Sequence, residues 1–248
     1  MEGLIKLDKL CRGEHWTDSP QGIIDHWNEI VGPSLFGFNV TGVDPSLSYS
    51  VTTTAGIAEW NFGDTNTQTS NTPSHTYTDG LGSHKVTLTG GVDDTAVTRV
   101  NLFSNASITS LEGVDRFVNL ERLRLYLTGI ASLPDLSSLT KLFDLQVQNN
   151  TISALDPTPF PAMLVLYLND TNVTALDLSN NPLLIVLNAY NCKLTVSEID
   201  QAFLDMDANA VSNCVIRFDG QTPSAPPTAT SATARANLVA RGCTITTD

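Results

Sequence analysis

Residues 120–133, LERLRLYLTGIASL, are followed by LFDLQVQNNTISAL at 142–155, MLVLYLNDTNVTAL at 163–176 and LIVLNAYNCKLTVS at 184–197. All four carry one apolar pattern. Leu120, Leu123, Leu125, Ile130 and Leu133 return 22 residues on as Leu142, Leu145, Val147, Ile152 and Leu155, and 21 later as Met163, Leu166, Leu168, Val173 and Leu176. The last copy keeps Leu184, Leu187, Ala189 and Leu194, with Ser197 in the fifth place. Self-similarity at this interval marks a solenoid. Within each copy the x-L-x-L-x segment alternates as a short strand does, so the leucines point into a stack and the intervening residues point out. One copy cannot bury its apolar face alone, and its neighbours supply the missing wall.

The spacing L-x-x-L-x-L-x-x-N-x-I-x-x-L resembles the leucine-rich repeat. That resemblance implies an inward polar ladder at Thr128, Asn150, Thr171 and Cys192, each able to hydrogen-bond. Val97, Val100, Leu102, Ile108 and Leu111 match a preceding copy with Asn105 in the ladder position, although Ile108 falls one residue late. Downstream, Ser197–Leu204 has a capping-type start and an apolar face at Ile199, Phe203 and Leu204. Strand Val215–Phe218, a helix near 231–240 and strand Cys243–Thr246 follow. This end resembles the C-terminal cap of leucine-rich proteins of bacteria and their phages, which often ends G-W-T-V-T. Cys243 stands in place of the Trp, so a less fully packed corner is expected.

Between residues 34 and 96 the pattern changes to short alternating runs, Phe36–Val40 and Leu47–Val51, punctuated by Gly42, Pro45 and Gly56. Trp60-Asn61-Phe62-Gly63-Asp64-Thr65, then His75-Thr76-Tyr77, then Val86-Thr87-Leu88-Thr89 resemble the W-x-F-G-D-G, H-x-Y and V-T-L-T blocks of PKD domains, which are Ig-like β-sandwiches. Thr65 departs from the family's Gly. The resemblance implies Trp60 and Phe62 in the core, His75 and Tyr77 bracing the facing strand, and Asp64 as a turn residue in preference to a calcium ligand. Residues 1–33 form a further segment. Ser19-Pro20 starts a helix, Ile23, Ile24, Trp27, Ile30 and Val31 share a face, and Gly32-Pro33 stops it. With Trp16, that face either packs on the neighbouring domain or docks into a larger assembly.

The expected fold is therefore mainly β with α: an Ig-like sandwich (34–96) fused to a leucine-rich-repeat horseshoe (97–197). A helical C-terminal cap (198–248) follows, and a docking segment (1–33) precedes. No linker separates sandwich from solenoid, so the sandwich is expected to cap the open end of the stack.

A net charge of −13, spread along the chain, disfavours nucleic acid and anionic membranes as partners. No long apolar run spans a membrane, and Met1–Lys9 does not have the form of a signal peptide. Cys11, Cys192, Cys214 and Cys243 lack metal-ligand spacing and are expected as buried free thiols. His15, His26, His75 and His84 form no ligand set, and no nucleophile elbow, zincin motif or phosphate loop is present. Neither an enzyme, a cofactor nor a metal is expected.

The outward positions form two columns: Asn101, Arg124, Gln146, Tyr167, Asn188, and Phe103, Tyr126, Gln148, Asn169, Tyr190. Aromatic rings beside amides and a guanidinium make a recognition surface for a protein loop or glycan, or else simply shield the sheet. Extracellular-type modules without an export signal fit a phage virion protein, either a capsid decoration or a tail-fibre part. The N-terminal segment would then dock on other virion proteins, with the concave face free for a host-surface protein or glycan. A bacterial surface adhesin and an intracellular scaffold are the alternatives.

Overall fold

The computed structural model describes residues 36–42 and 45–248. The docking-segment residues Trp16, Ile23, Ile24, Trp27 and Ile30 lie outside the described residues.

Seven short strands lie parallel: β8 (Val97–Asn101), β9 (Arg122–Arg124), β10 (Asp144–Gln146), β11 (Val165–Tyr167), β12 (Val186–Asn188), β13 (Val215–Arg217) and β14 (Thr244–Thr246). Their register aligns Val100, Leu123, Leu145, Leu166, Leu187, Ile216 and Ile245. The repeated leucines are those that point inward, and those of 120–194 are buried except for Leu133 and Leu155, which are partly covered. This is a leucine-rich-repeat-type solenoid, mainly strand with few helices.

The polar ladder forms because each inward turn leaves backbone carbonyls without a strand partner. Asn150 Nδ2 donates to the carbonyls of Leu125 (2.8 Å) and Val147 (3.0 Å), while its Oδ1 accepts from the Thr128 amide (3.1 Å). The Thr171 hydroxyl donates to the Leu168 carbonyl (2.6 Å), and Cys192 Sγ approaches the same oxygen (3.2 Å). Burial pushes the Cys192 thiol up, so it stays a neutral donor. Gln221 continues the ladder one position further, donating to the Ala189 and Phe218 carbonyls. After each strand one residue turns left-handed: Ser104, Leu127, Asn149, Asp170, Asn191 and Gly220. Leu127, at φ 57°, is the least suited of these to that conformation.

Upstream, β1 (Gly37–Thr41), β4 (Glu59–Asn61), β5 (Thr67–Thr69) and β7 (Ser83–Gly90) form one antiparallel sheet, and β2 (Ser46–Ser48) pairs with β6 (Ser74–Thr76). Trp60 and Phe62 are buried as expected, and the Tyr77 hydroxyl donates to the Phe62 carbonyl (2.8 Å). His75 stacks on Phe62 and meets Asp64 at 2.7 Å. Burial pushes the Asp64 carboxyl up, but hydrogen bonds from Asn66 and His75 outweigh it and hold the group below its ordinary range. Thr65 adopts φ 73°, a left-handed conformation that Gly would take more readily.

The second layer is not self-contained. β3 (Ser50–Thr53) pairs antiparallel with β8 and becomes the edge strand of the solenoid's sheet, with Val51 opposite Val100. Asn105 has no earlier repeat to bond. It donates instead to the Ser48 carbonyl (2.8 Å) and accepts from the Ser48 amide (3.2 Å). Phe36 packs on both Trp60 and Phe117, so one core runs through Phe36–Asp248. The expected boundary at residue 96 is therefore crossed by strand pairing, and the apolar end of the stack is covered by β2 and β3.

At the far end α1 (Val196–Ala208) is capped by Thr195, whose side chain accepts from the Glu198 amide. Leu204, expected on the apolar face, is exposed, and Asp200 is buried instead. Thr228 and Ser231, just before α2 (Ala232–Ala240), donate their hydroxyls to the Asp200 carboxylate. Cys214 and Cys243 precede neighbouring strands and form a disulfide. That corrects the expectation of free thiols; Cys192 remains a buried free thiol. The corner expected to be loosely filled at Cys243 is thus closed covalently, with Cys243 buried.

Candidate functional site

The outward side of the parallel sheet carries three columns, not two. Strand register aligns Asn101, Arg124, Gln146, Tyr167, Asn188 and Arg217 in one. Backbone bonds beyond the strands, from Ser104 N to Tyr126 O through Asn191 N to Asp219 O, carry Phe103, Tyr126, Gln148, Asn169, Tyr190 and Asp219 in another. The third, overlooked in the sequence, is Arg99, Arg122, Asp144, Val165, Val186 and Val215. It was readable as the first x of each x-L-x-L-x segment.

Phe103 and Tyr126 stack nearly parallel, centroids 4.8 Å apart. Phe103 is exposed and Tyr126 half-buried, so the pair presents a rigid apolar ledge. Tyr167 is half-buried between its register partners Gln146 and Asn188. Tyr190 lies under the Arg217 guanidinium, 4.4 Å from ring centroid to carbon, and Asp219 pairs with that guanidinium through both oxygens. Burial and a hydrogen bond to Asp170 push the Tyr190 phenol up. Arg124 is held by Asp144 at 2.7 Å, and Gln146 donates to the same carboxylate.

Asn169 is the exception among the expected contact residues. It is buried, because its amide turns aside to donate to Asp170 (2.7 Å). It therefore supports the surface from below.

The hydrogen-bonding capacity of this face is not used up. Among the described residues, ten enclosed side-chain atoms lack a partner, and six of them belong to the columns: the Nε atoms of Arg99, Arg122 and Arg124, Gln148 Oε1, Asn169 Oδ1 and Asn188 Oδ1. Folded chains ordinarily satisfy such groups, so their concentration here singles the surface out.

No protein-family model matches the chain, and no curated protein does. Solved structures do. An internalin from Listeria monocytogenes superposes with a TM-score of 0.43 at 18% identity, over 63% of this chain and 50% of that one. A leucine-rich-repeat protein of Leptospira interrogans gives 0.37 at 20% identity, over 54% and 38%. A second Listeria internalin, whose functional domain includes a cysteine ladder, gives 0.26 at 15% identity, over 58% and 48%. The chain spans half or less of the length of each of these three.

Away from the sheet, the returning segments of successive repeats enclose an open hollow of about 410 Å³ lined by Leu133, Leu136, Leu155, Phe160 and neighbouring aspartates. Asp135 and Asp156 there accept from the Ser137 and Thr158 amides, as turn residues do. Among the described residues, no group of His, Cys, Asp or Glu is arranged to hold a metal, and no helix is long and apolar enough to cross a membrane.

Proposed function

We propose that this is a non-enzymatic recognition protein whose concave sheet binds another protein. The concentration of unpartnered polar atoms beside the Phe103–Tyr126 ledge and Tyr167 carries this reading. A surface that only shielded its sheet would close those groups on one another, as Arg217 and Asp219 do. The contact residues are Phe103, Arg124, Tyr126, Gln146, Gln148, Tyr167, Asn188 and Tyr190, with Asn169 supporting them. The test is a panel of host-surface proteins and glycans probed with the full chain and with a Tyr126→Ala/Tyr167→Ala variant. Loss of at least about tenfold in affinity for every protein bound is expected, because rings of this kind are the usual hot spots. Undiminished binding places the site elsewhere.

Display at an outer surface fits the Cys214–Cys243 disulfide, since such bonds persist in oxidising surroundings. The bridge counts against an intracellular scaffold. In the virion reading, a PKD-type sandwich and repeat array are held out from a phage particle by residues 1–33. Trp27→Ala with Ile23→Ala then abolishes attachment to the particle without changing the melting temperature. Retained attachment places the contact outside residues 1–33, and failure of the unmodified chain to attach leaves the surface-adhesin reading.

A further inference from the structure

The third column is ordered by chemistry. Arg99 and Arg122 stand directly side by side on β8 and β9, then comes Asp144, then Val165, Val186 and Val215. Two like charges facing each other across neighbouring strands are unfavourable unless something compensates them. Among the described residues, neither arginine forms an ion pair, and Asp144, across the strand from Arg122, is turned to Arg124. Arg116, Arg124, Arg217 and Arg241 each hold a carboxylate, whereas among the described residues no carboxylate lies within ion-pair distance of Arg99 or Arg122. This occurs in a chain with 26 acidic and 13 basic side chains, where a carboxylate would be easy to supply. The Nε atoms of both arginines are enclosed and unpartnered. Arg122 is steadied by the Phe143 ring, 5.2 Å from its guanidinium carbon, which orients the group without supplying a carboxylate. Asp144 does not serve, because Arg124 occupies it.

Beyond Asp144 the column turns apolar and open. Val165 and Val186 are half-buried, and Val215 and the adjoining Ile185 are 45% and 43% exposed. An anion-receiving pair and an apolar run thus share one line across the strands.

We propose that Arg99 and Arg122 anchor an acidic segment of a partner protein, laid across the strands so that its carboxylates meet the two guanidinium groups and its apolar side chains cover Val165, Val186 and Val215. This rests on the recognition reading above and names the chemistry of the partner. Charge complementarity selects the carboxylates: a guanidinium fork matches a carboxylate with two parallel hydrogen bonds, and the acidic remainder of the chain repels such a segment everywhere else. The valines select a peptide over an anionic sugar, which has no apolar side chains to set on them. Strands lie about 4.8 Å apart, so Arg122 and Val165 are separated by roughly 10 Å, the reach of about three extended residues. The segment therefore carries its acidic residues about three positions from its apolar ones.

The test uses the full chain and three probes: a fluorescent peptide of about ten residues with paired glutamates followed by alternating valines at that spacing, its counterpart with glutamine for glutamate, and a sulfated oligosaccharide. The acidic peptide binds, the glutamine peptide binds at least about tenfold more weakly, and raising salt weakens only the first. Arg99→Gln with Arg122→Gln removes the preference for glutamate, while its unchanged melting temperature shows that the fold persists. Equal binding of the two peptides overturns the proposal, as does undiminished preference in the double variant or absence of peptide binding. Arginine-dependent retention of the oligosaccharide alone overturns the choice of a protein partner. If Tyr126→Ala/Tyr167→Ala abolishes peptide binding and the arginine variant does not, the recognition reading stands and this anchor falls.

Discussion

The two ends of the sheet solve the same problem by different means. On the β3 side the contacts are each made once: Trp60 against Phe36 and Tyr49, the Tyr77 hydroxyl on the Phe62 carbonyl, Asn105 on Ser48. Through β9 to β12 the solution is a rule applied repeatedly, with a leucine over a leucine and a ladder side chain over a freed carbonyl. The difference teaches where damage stays local. A unique contact has no understudy, whereas a repeated one is shared with the copies on either side.

The largest effect expected is for Trp60→Ala. It empties a fully enclosed site and removes the indole bond to the Ser70 carbonyl, costing about 4 kcal/mol. Because Phe36 joins Trp60 to Phe117, urea unfolding followed by tyrosine fluorescence and by circular dichroism shows one shifted transition. Two separated transitions would mean that the antiparallel layers unfold alone. Next comes Cys214→Ser with Cys243→Ser, which frees a 29-residue separation and costs about 3 kcal/mol. Hydrogen exchange locates the loss at β14 and α2, and equal loss at β9 would contradict the repeat-wise picture.

Asn150→Ala follows at about 2 kcal/mol, since it strips buried carbonyls of Leu125 and Val147 of their donor. The damage is expected in both adjoining repeats by exchange, unlike that of Trp60→Ala. The smallest effects are gains. Leu127→Gly and Thr65→Gly each relieve a left-handed side chain and raise stability by about 1 kcal/mol, read as a higher melting temperature.

The repeated half of the molecule was legible because its period repeats: every ladder position from Asn105 to Cys192 points inward as read. Gln221 escaped because α1 lengthens that unit and moves the position out of step. A second lengthening, by α2, hid the nearness of Cys214 and Cys243, whose 29-residue separation is one long repeat. The pairing of β3 with β8 joins Val51 to Val100, far apart in sequence, and no local pattern records such a partner. On the outward face of the sheet, alternation placed nine of the ten expected residues at the surface or half within it, and could not foresee that Asp170 draws Asn169 under. Arg99 and Arg122 were hidden by following two of the three outward positions. β5 was missed because Thr67-Gln68-Thr69 has no apolar member to show alternation.

Because β3 runs opposite to β8, the array is closed at that margin by a strand that no further repeat can imitate. At that margin length can change only from within. A unit of 21 residues duplicated between β10 and β11 would lengthen the hollow by one rung while leaving both margins untouched, moving the valines one step further from the arginines. The distance between the two kinds of contact is thus a quantity that duplication can tune in whole steps, and fragments of a strand cannot.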